Sequence, residues 1–538
     1  TDATLQMGLV GEQGDDDLGV KGQWQLAGSS FRNEAVQFPV QRQQAPKPDV
    51  LTYSLLGQAN TPIGHTEIGL GQVSTAANPL LAPAVGNRGL SLTQRVSNVV
   101  DVALGVQAGG QLLGARNLTG TEDDESRFTT ARIGVEVLPE RPGALRIELG
   151  WFDGQQAPST LYNIVPGIIE RQRSHGWGWH LSGNTEDARW QWELSTALSR
   201  YEASDPGLAS DSGLKRAYAG NLSYDIVPMT TWGDVDVALS ANIKQDYAQA
   251  LYRSLAGGPI GDYRSRALSL NGQLGIVALG LNVEGTEDNV HDDALMPKNL
   301  GRTVSLNAVM PTARLPLISS LVGPGAAGSA AWPQLSYNQV RNHAWGDQDF
   351  VPLDMLPDDL PDTLMTEHQW GLKWTLKTWS MGYRYTTSFQ DTLQAVQADQ
   401  DMRTRGHQVD VQWRPLPTVT LGAVLGFNRS RMMDTGWTNR SQNLALDGRW
   451  RIGPDLQLTG NLTRGQSILP NGPTTNTFDT LQLGLQGKTR LPSMSAQPWT
   501  GHWFARWAAS HNAARSDATG LKASADLRAL QAGLSIAF

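Results

Sequence analysis

Large apolar residues recur at every second position, in segments of about ten residues separated by turn chemistry, along most of this chain. Ala131, Ile133, Val135 and Val137 alternate with Arg132, Gly134 and Glu136. Leu145, Ile147, Leu149 and Trp151 alternate with Arg146, Glu148 and Gly150. Trp190, Trp192, Leu194, Thr196 and Leu198 share a parity, as do Val235, Val237, Leu239, Ala241 and Ile243. Val409, Val411 and Trp413 alternate with Gln408, Asp410 and Gln412, and Leu444, Leu446 and Trp450 with Ala445, Asp447 and Arg449. A period of two sends successive side chains to opposite faces of a strand. Each segment therefore predicts a strand with one apolar and one polar face. A helical period is not sustained at length anywhere.

The connections alternate in length as well. Read back from the C-terminus, 512–524, 465–476, 429–440, 390–405 and 342–365 are long and polar. Between them 452–454, 415–417 and 376–378 are tight, and 490–498 is moderate. Short turns at one end of a sheet and long loops at the other are the pattern of outer-membrane barrels. Trp residues such as Trp151, Trp177, Trp190, Trp232, Trp374, Trp379, Trp450, Trp499, Trp503 and Trp507 gather near strand ends, where amphipathic rings settle at headgroup level.

The last strand is the sharpest segment. Leu530, Leu534, Ile536 and the terminal Phe538 share one face, with Gln531, Gly533, Ser535 and Ala537 on the other. It resembles the C-terminal signature of bacterial outer-membrane β-barrel proteins, which that resemblance implies is read by the barrel assembly machinery. The same resemblance implies contact with outer-membrane lipid and lipopolysaccharide.

Composition narrows the choice. Cysteine is absent, Trp (18) outnumbers Phe (10) and Tyr (11), and charged residues make up 17%. Zero cysteine removes thiolate chemistry, disulfides and Cys-based zinc sites. A net charge of −8 gives no support to nucleic-acid binding. The longest charge-free stretch, 315–340, carries Pro316, Pro324 and Pro333, which would break a spanning helix. The chain starts at Thr1, and a leader upstream of it is expected.

No enzyme is expected. The nine histidines are scattered, His175 and His180 fall on opposite parities, and neither an HExxH nor a G-x-S-x-G motif occurs. No cofactor is expected. Acidic clusters at Asp15–Asp17, Glu122–Glu125, Glu287–Asp293 and Asp347–Asp362 fall in predicted loops. Their spacing does not match an EF-hand, so no metal site is expected, although Asp347, Asp349 and Asp354 are weak calcium candidates. The charges opposite the apolar parity, Arg132, Glu136, Arg146, Glu148, Arg384, Asp410, Asp447, Arg449 and Arg506, are the candidate lumen-lining residues. On the lipid side an Arg at mid-bilayer would cost about 2–4 kcal/mol.

The expected fold is all-β: one large, closed, antiparallel transmembrane β-barrel over 1–538, of roughly 24 strands (22–26), with short periplasmic turns and long extracellular loops. An even strand number is expected. Residues 1–98 are the least regular, with strands expected at 23–28 and 51–57 and a short one at 89–96. The long link 311–332 sits out of place on the short-turn side and is either an excursion, an inward fold or a missed strand. The expected function is a bacterial outer-membrane conduit for solute, polymer or protein. A pore so wide would leak, so a lumen-filling or periplasmic protein partner, or an inward loop, should fill it; 348–364 and 315–331 are the candidate plugs. The alternative is a C-terminal membrane anchor for a longer surface protein.

Overall fold

Alternation of this kind satisfies every backbone group only if each strand finds partners on both sides. In the computed structural model it does. The structure describes residues 3–15, 20–32, 49–61, 64–109, 117–122, 124, 126–156, 172–203, 213–233, 235–259, 261–312, 332–351, 356–394, 401–469, 474–491, 499–516 and 519–537.

The strands follow one another in one 25-stranded sheet. The first are β1 (Ala3–Asp15), β2 (Val20–Arg32), β3 (Asp49–Thr61), β4 (Gly64–Thr75), β5 (Val85–Val96), β6 (Val100–Ala108), β7 (Arg127–Glu136) and β8 (Leu145–Gln156). Next come β9 (Gln172–Asn184), β10 (Trp190–Ala203), β11 (Lys215–Trp232), β12 (Val235–Ala248), β13 (Tyr263–Leu274), β14 (Val277–Asp288), β15 (Asn299–Pro311) and β16 (Gln334–Gly346). The last are β17 (Asp362–Thr375), β18 (Trp379–Thr392), β19 (Met402–Leu416), β20 (Val419–Met432), β21 (Thr438–Arg451), β22 (Leu456–Leu469), β23 (Thr474–Leu491), β24 (Trp499–Ser516) and β25 (Lys522–Ala537).

Each strand pairs antiparallel with its neighbours in sequence. β1 also pairs with β25, in parallel, from Thr4↔Gln531 to Val10↔Ala537. Among the described residues the strands number 25 where an even number is expected, so β1 and β25 run the same way. The strands expected at 23–28, 51–57 and 89–96 lie within β2, β3 and β5.

The two faces differ through the middle of β19–β23. Val411, Ala423, Leu446, Leu462 and Leu481 stand side by side across β19–β23 on one face. One residue along, Gln412, Gly422, Asp447, Asn461 and Gln482 form the corresponding row on the other. The apolar row is exposed: Leu446 is 38% and Leu462 37% accessible. The same face exposes Leu149, Trp151, Ile243, Leu279, Leu425 and Leu483 on other strands. Apolar patches on soluble monomers seldom exceed a few hundred Å². An apolar face of this extent needs a non-aqueous neighbour.

Connections that follow odd-numbered strands are short at 97–99, 275–276, 376–378, 417–418 and 452–455. Those that follow even-numbered strands are longer at 109–126, 249–262, 289–298 and 347–361. At the short-turn end the apolar face carries Trp190, Trp232, Trp374, Trp379, Trp413 and Trp450, and Trp379 stacks on Trp413 at 5.1 Å. The expected long links 512–524, 465–476 and 429–440 are corrected to 517–521, 470–473 and 433–437. The strands run past the point where their apolar alternation stops, because backbone pairing does not require an apolar side chain. The long link on the short-turn side is pinched at its base, where Thr312 donates to the Pro333 carbonyl through its amide (3.1 Å) and hydroxyl (2.6 Å). β15 and β16 pair with each other along their whole length. Residues 313–331, and with them the candidate plug 315–331, lie outside the described residues.

Candidate functional site

The polar face holds two built features, one at each end of β6–β8. At the short-turn end, Arg146 at the start of β8 is clasped by three carboxylates. Its Nη2 lies 2.5 Å from Asp101 and 2.7 Å from Glu148, and its Nη1 3.0 Å from Glu136. Arg132 approaches Asp101 at 3.7 Å and Glu148 at 3.6 Å. Glu136 also accepts the Gly143 amide at 2.9 Å. Gly134 leaves room for the network: a Cβ there would come within 2.2 Å of the Arg146 guanidinium in its present place. Asp101 and the glutamates are largely shielded, with side chains 9% and 13% exposed. Four of the nine candidate lumen residues thus meet in one cluster. Asp101 was not among them, since a lone acid near a turn carries no signal until β6 is placed beside β7.

At the long-loop end, segment 76–84 folds back over the polar face. Leu81 and Ala82 are fully buried and Ala77 nearly so, packed with Phe128, Phe152, Ala197, Ala217, Ala248 and Tyr252. Trp151 and Phe152 divide the two roles on one strand: Trp151 is 43% exposed on the apolar face and Phe152 is fully buried on the other. The segment holds its own shape by Ala77 N–H to the Ala82 carbonyl (3.0 Å) and Leu80 N–H to the Asn78 side chain (2.9 Å). A Cβ at Gly150 would come within 2.1 Å of the Ala77 carbonyl oxygen, so only glycine admits the segment here. From the other side, loop 249–262 locks it: Tyr252 donates to the Leu80 carbonyl (2.8 Å) and Ser254 to the Leu81 carbonyl (2.5 Å). Burial pushes the Tyr252 phenol well above its ordinary range.

This inward segment is neither of the two expected, of which 315–331 lies outside the described residues. The described part of 348–364 returns to its own strand ends. Gly346 donates to the Pro361 carbonyl (2.7 Å), Leu360 is buried, and Gln394 donates to the carbonyls of Asp359 and Leu360. The apolar run Ala76–Pro79–Leu81–Ala84 carries no sequence signal of an inward fold, because a proline-punctuated run of nine residues looks like a link until its seat is known.

The other candidates lie on the polar face but apart from these features. Arg384 faces Gly371 and Gln408, Asp410 faces Gly382, Asp447 faces Gly422 and Asn461, and Arg449 faces Thr420 and Thr459. Arg506 faces Gly484 and lies 5.1 Å from the Phe504 ring centre. Asp347 accepts the Asp349 amide at 3.1 Å in a turn, and Asp354 lies outside the described residues. The Glu287–Asp293 acids are pins for their loop: Glu287 pairs with Arg264 (2.6 Å), Asp288 accepts from Asn299 N (2.5 Å), and Asp292 pairs with Lys298 (2.5 Å). That last contact holds the Lys298 ammonium above the usual lysine range. In the C-terminal signature Leu530 is 65% exposed beside Trp507, and Leu534 and Ile536 lie opposite Trp503 and Gly501 in register. Phe538 lies outside the described residues.

No family model matches the chain, and no curated protein sequence matches it significantly. Among solved structures it is similar to the FrpB iron transporter from Neisseria meningitidis (F3-3 variant), at 9% identity and a TM-score of 0.37, over 85% of this chain and 81% of that one. It is also similar to the ferric yersiniabactin uptake receptor FyuA from Yersinia pestis, at 10% identity and a TM-score of 0.32, over 99% and 72%. The alcaligin outer-membrane receptor FauA from Bordetella pertussis follows at 8% and 0.28, over 98% and 75%.

Proposed function

We propose that this chain is an outer-membrane β-barrel of a bacterial envelope, closed through the β1–β25 pair, and that it forms a conduit for solute narrowed from within by 76–84 and 249–262. The observation that carries the reading is the contrast between the faces. Leu446 and Leu462 stand exposed in the apolar row, and Asp447 and Asn461 stand one residue along in the polar row. Lipid solvates the first face and water the second. The wall is wide enough to need narrowing, because barrels of about 22 strands already carry a plug. The segment 76–84 supplies apolar bulk at the long-loop mouth, and the Arg132–Arg146 network braces the wall at the other. The lumen-lining role of Arg384, Asp410, Asp447, Arg449 and Arg506 belongs to the same reading, with both signs of charge on the wall and transport rather than catalysis as its work.

The test is single-channel recording in a planar bilayer, on refolded protein whose heat-modifiable migration reports a folded barrel. The wild type is compared with a variant in which 77–82 is replaced by a short Gly-Ser link. Discrete steps that grow in the variant support the conduit. Silence from both folded proteins overturns it.

A further inference from the structure

On the apolar face, β19, β20 and β21 carry a block of arginine just beyond the apolar band, at the long-loop end. Arg405 stands opposite Arg429, and Arg429 opposite Arg440. One row further out Arg403 stands opposite Arg431. All five are on the parity of Val409, Leu425 and Leu444, the face exposed to lipid in the barrel reading, and all five are exposed. None has a carboxylate within ion-pair distance among the described residues. Elsewhere Arg146, Arg264 and Arg464 each have one.

Like charges directly opposite on neighbouring strands, about 5 Å apart, repel. Three in a row and two more above them are stabilised if an anion bridges them. Arginine is suited to this because its planar fork binds phosphate oxygens in pairs. Position narrows the anion further. Eight residues separate Arg405 from Trp413 and Arg429 from Leu421, so the block lies about 26 Å along the strand from the tryptophan end, at about 3.3 Å per residue. With a barrel tilt of about 35–45° that span rises about 18–21 Å along the bilayer normal, a little less than the apolar band of about 25 Å, and the long arginine side chains reach outward to bring the guanidiniums to headgroup level. Directly beneath them Phe427 is 47% exposed and Leu425 39%, an apolar surface continuous with the cationic one.

We propose that the outward face of β19–β21 is a docking site for a phosphorylated glycolipid of the outer leaflet, its phosphates bridging Arg405, Arg429 and Arg440 and its acyl chains lying on Phe427 and Leu425. The site rests on the barrel reading, since it needs this face to meet lipid.

The test uses full-length refolded protein in detergent, titrated with bisphosphorylated hexa-acyl lipid A, with the same lipid dephosphorylated, and with inorganic pyrophosphate. Native mass spectrometry counts bound lipid. The wild type retains bisphosphorylated lipid A, and the triple variant Arg405→Gln, Arg429→Gln, Arg440→Gln binds it about a hundredfold more weakly, the loss expected for two or more charged hydrogen bonds. The corresponding Arg→Lys triple variant recovers part of the affinity, because charge remains but the fork is lost. Equal retention by the wild type and the Gln variant overturns the site. Equal retention of the dephosphorylated lipid by the wild type overturns the phosphate contact. Full competition by pyrophosphate alone overturns the lipid and leaves a simple anion site. Heat-modifiable migration of every variant and protease protection in liposomes are scored separately. Failure of the barrel reading therefore shows as lost membrane protection, and failure of the site as unchanged binding by folded protein.

Discussion

The Tyr252 hydroxyl donates to the Leu80 carbonyl across 2.8 Å, joining two loops 172 residues apart in sequence. It closes the seat of segment 76–84 from the side away from the wall. Gly150 opens that seat from the wall side. A small inner side chain on one strand and one phenol on a distant loop together decide that an apolar link turns inward.

Tyr252 makes that seat sensitive to alkali. Its pKa is raised in the folded protein, so its contribution is fully present below the ordinary tyrosine value of 10.0 and is lost as pH rises through the folded value. Protease cleavage in 76–84, followed from pH 8 to pH 11, should rise at the alkaline end. Tyr252→Phe gives up one hydrogen bond, about 1 kcal/mol, and should flatten the alkaline rise. An unchanged profile in the variant would show that another group controls the loop.

Filling the seat from the wall side should have the larger effect. Gly150→Val places side-chain atoms where the Ala77 carbonyl lies. The segment should be displaced, and single-channel conductance should increase. Leu81→Ala removes a fully buried side chain and should loosen the same segment by about 2–5 kcal/mol, the range for such core truncations. Conductance noise would report it.

Arg146→Ala leaves Asp101, Glu136 and Glu148 together with only Arg132 nearby. Removing one partner from a shielded ion-pair cluster costs about 3–5 kcal/mol. The temperature at which the folded, fast-migrating form is lost should fall clearly. The double variant Arg146→Met, Glu148→Leu should recover much of that loss. If the single variant melts with the wild type, the network contributes nothing.

The two ends of one parity on β20 should respond oppositely to charge. Leu425→Arg places a cation within the apolar band, at a cost of about 2–4 kcal/mol near mid-bilayer. Arg429→Leu, four residues further along the same face, should be nearly neutral for folding. Urea titrations in liposomes would separate the two. Equal costs would place the bilayer boundary elsewhere.

Much of the fold was legible because strands with one apolar and one polar face carry a period of two. The runs at 131–137, 145–151 and 444–450 lie within or at the ends of β7, β8 and β21 on the faces expected. Strand ends were not legible. Around Arg403 and Arg405, and again around Arg429, Arg431 and Arg440, the face leaves the apolar band while the backbone goes on pairing. These stretches look like loops to any reading based on hydropathy, and so the arginine block stayed hidden. Arg132, Glu136, Arg146 and Glu148 could each be assigned to a face, but their meeting with Asp101 depends on the register of three strands.

By itself the sequence determined the strand class, the two-faced wall and the asymmetry of short and long connections, because these are local consequences of side-chain alternation and turn chemistry. The tertiary structure decided the strand number with its parallel β1–β25 pair, the identity of the inward segment and the side-by-side stacking of arginines. Each of those depends on contacts between residues far apart in the chain. No window of sequence contains both Leu80 and Tyr252, or both Gly150 and Ala77.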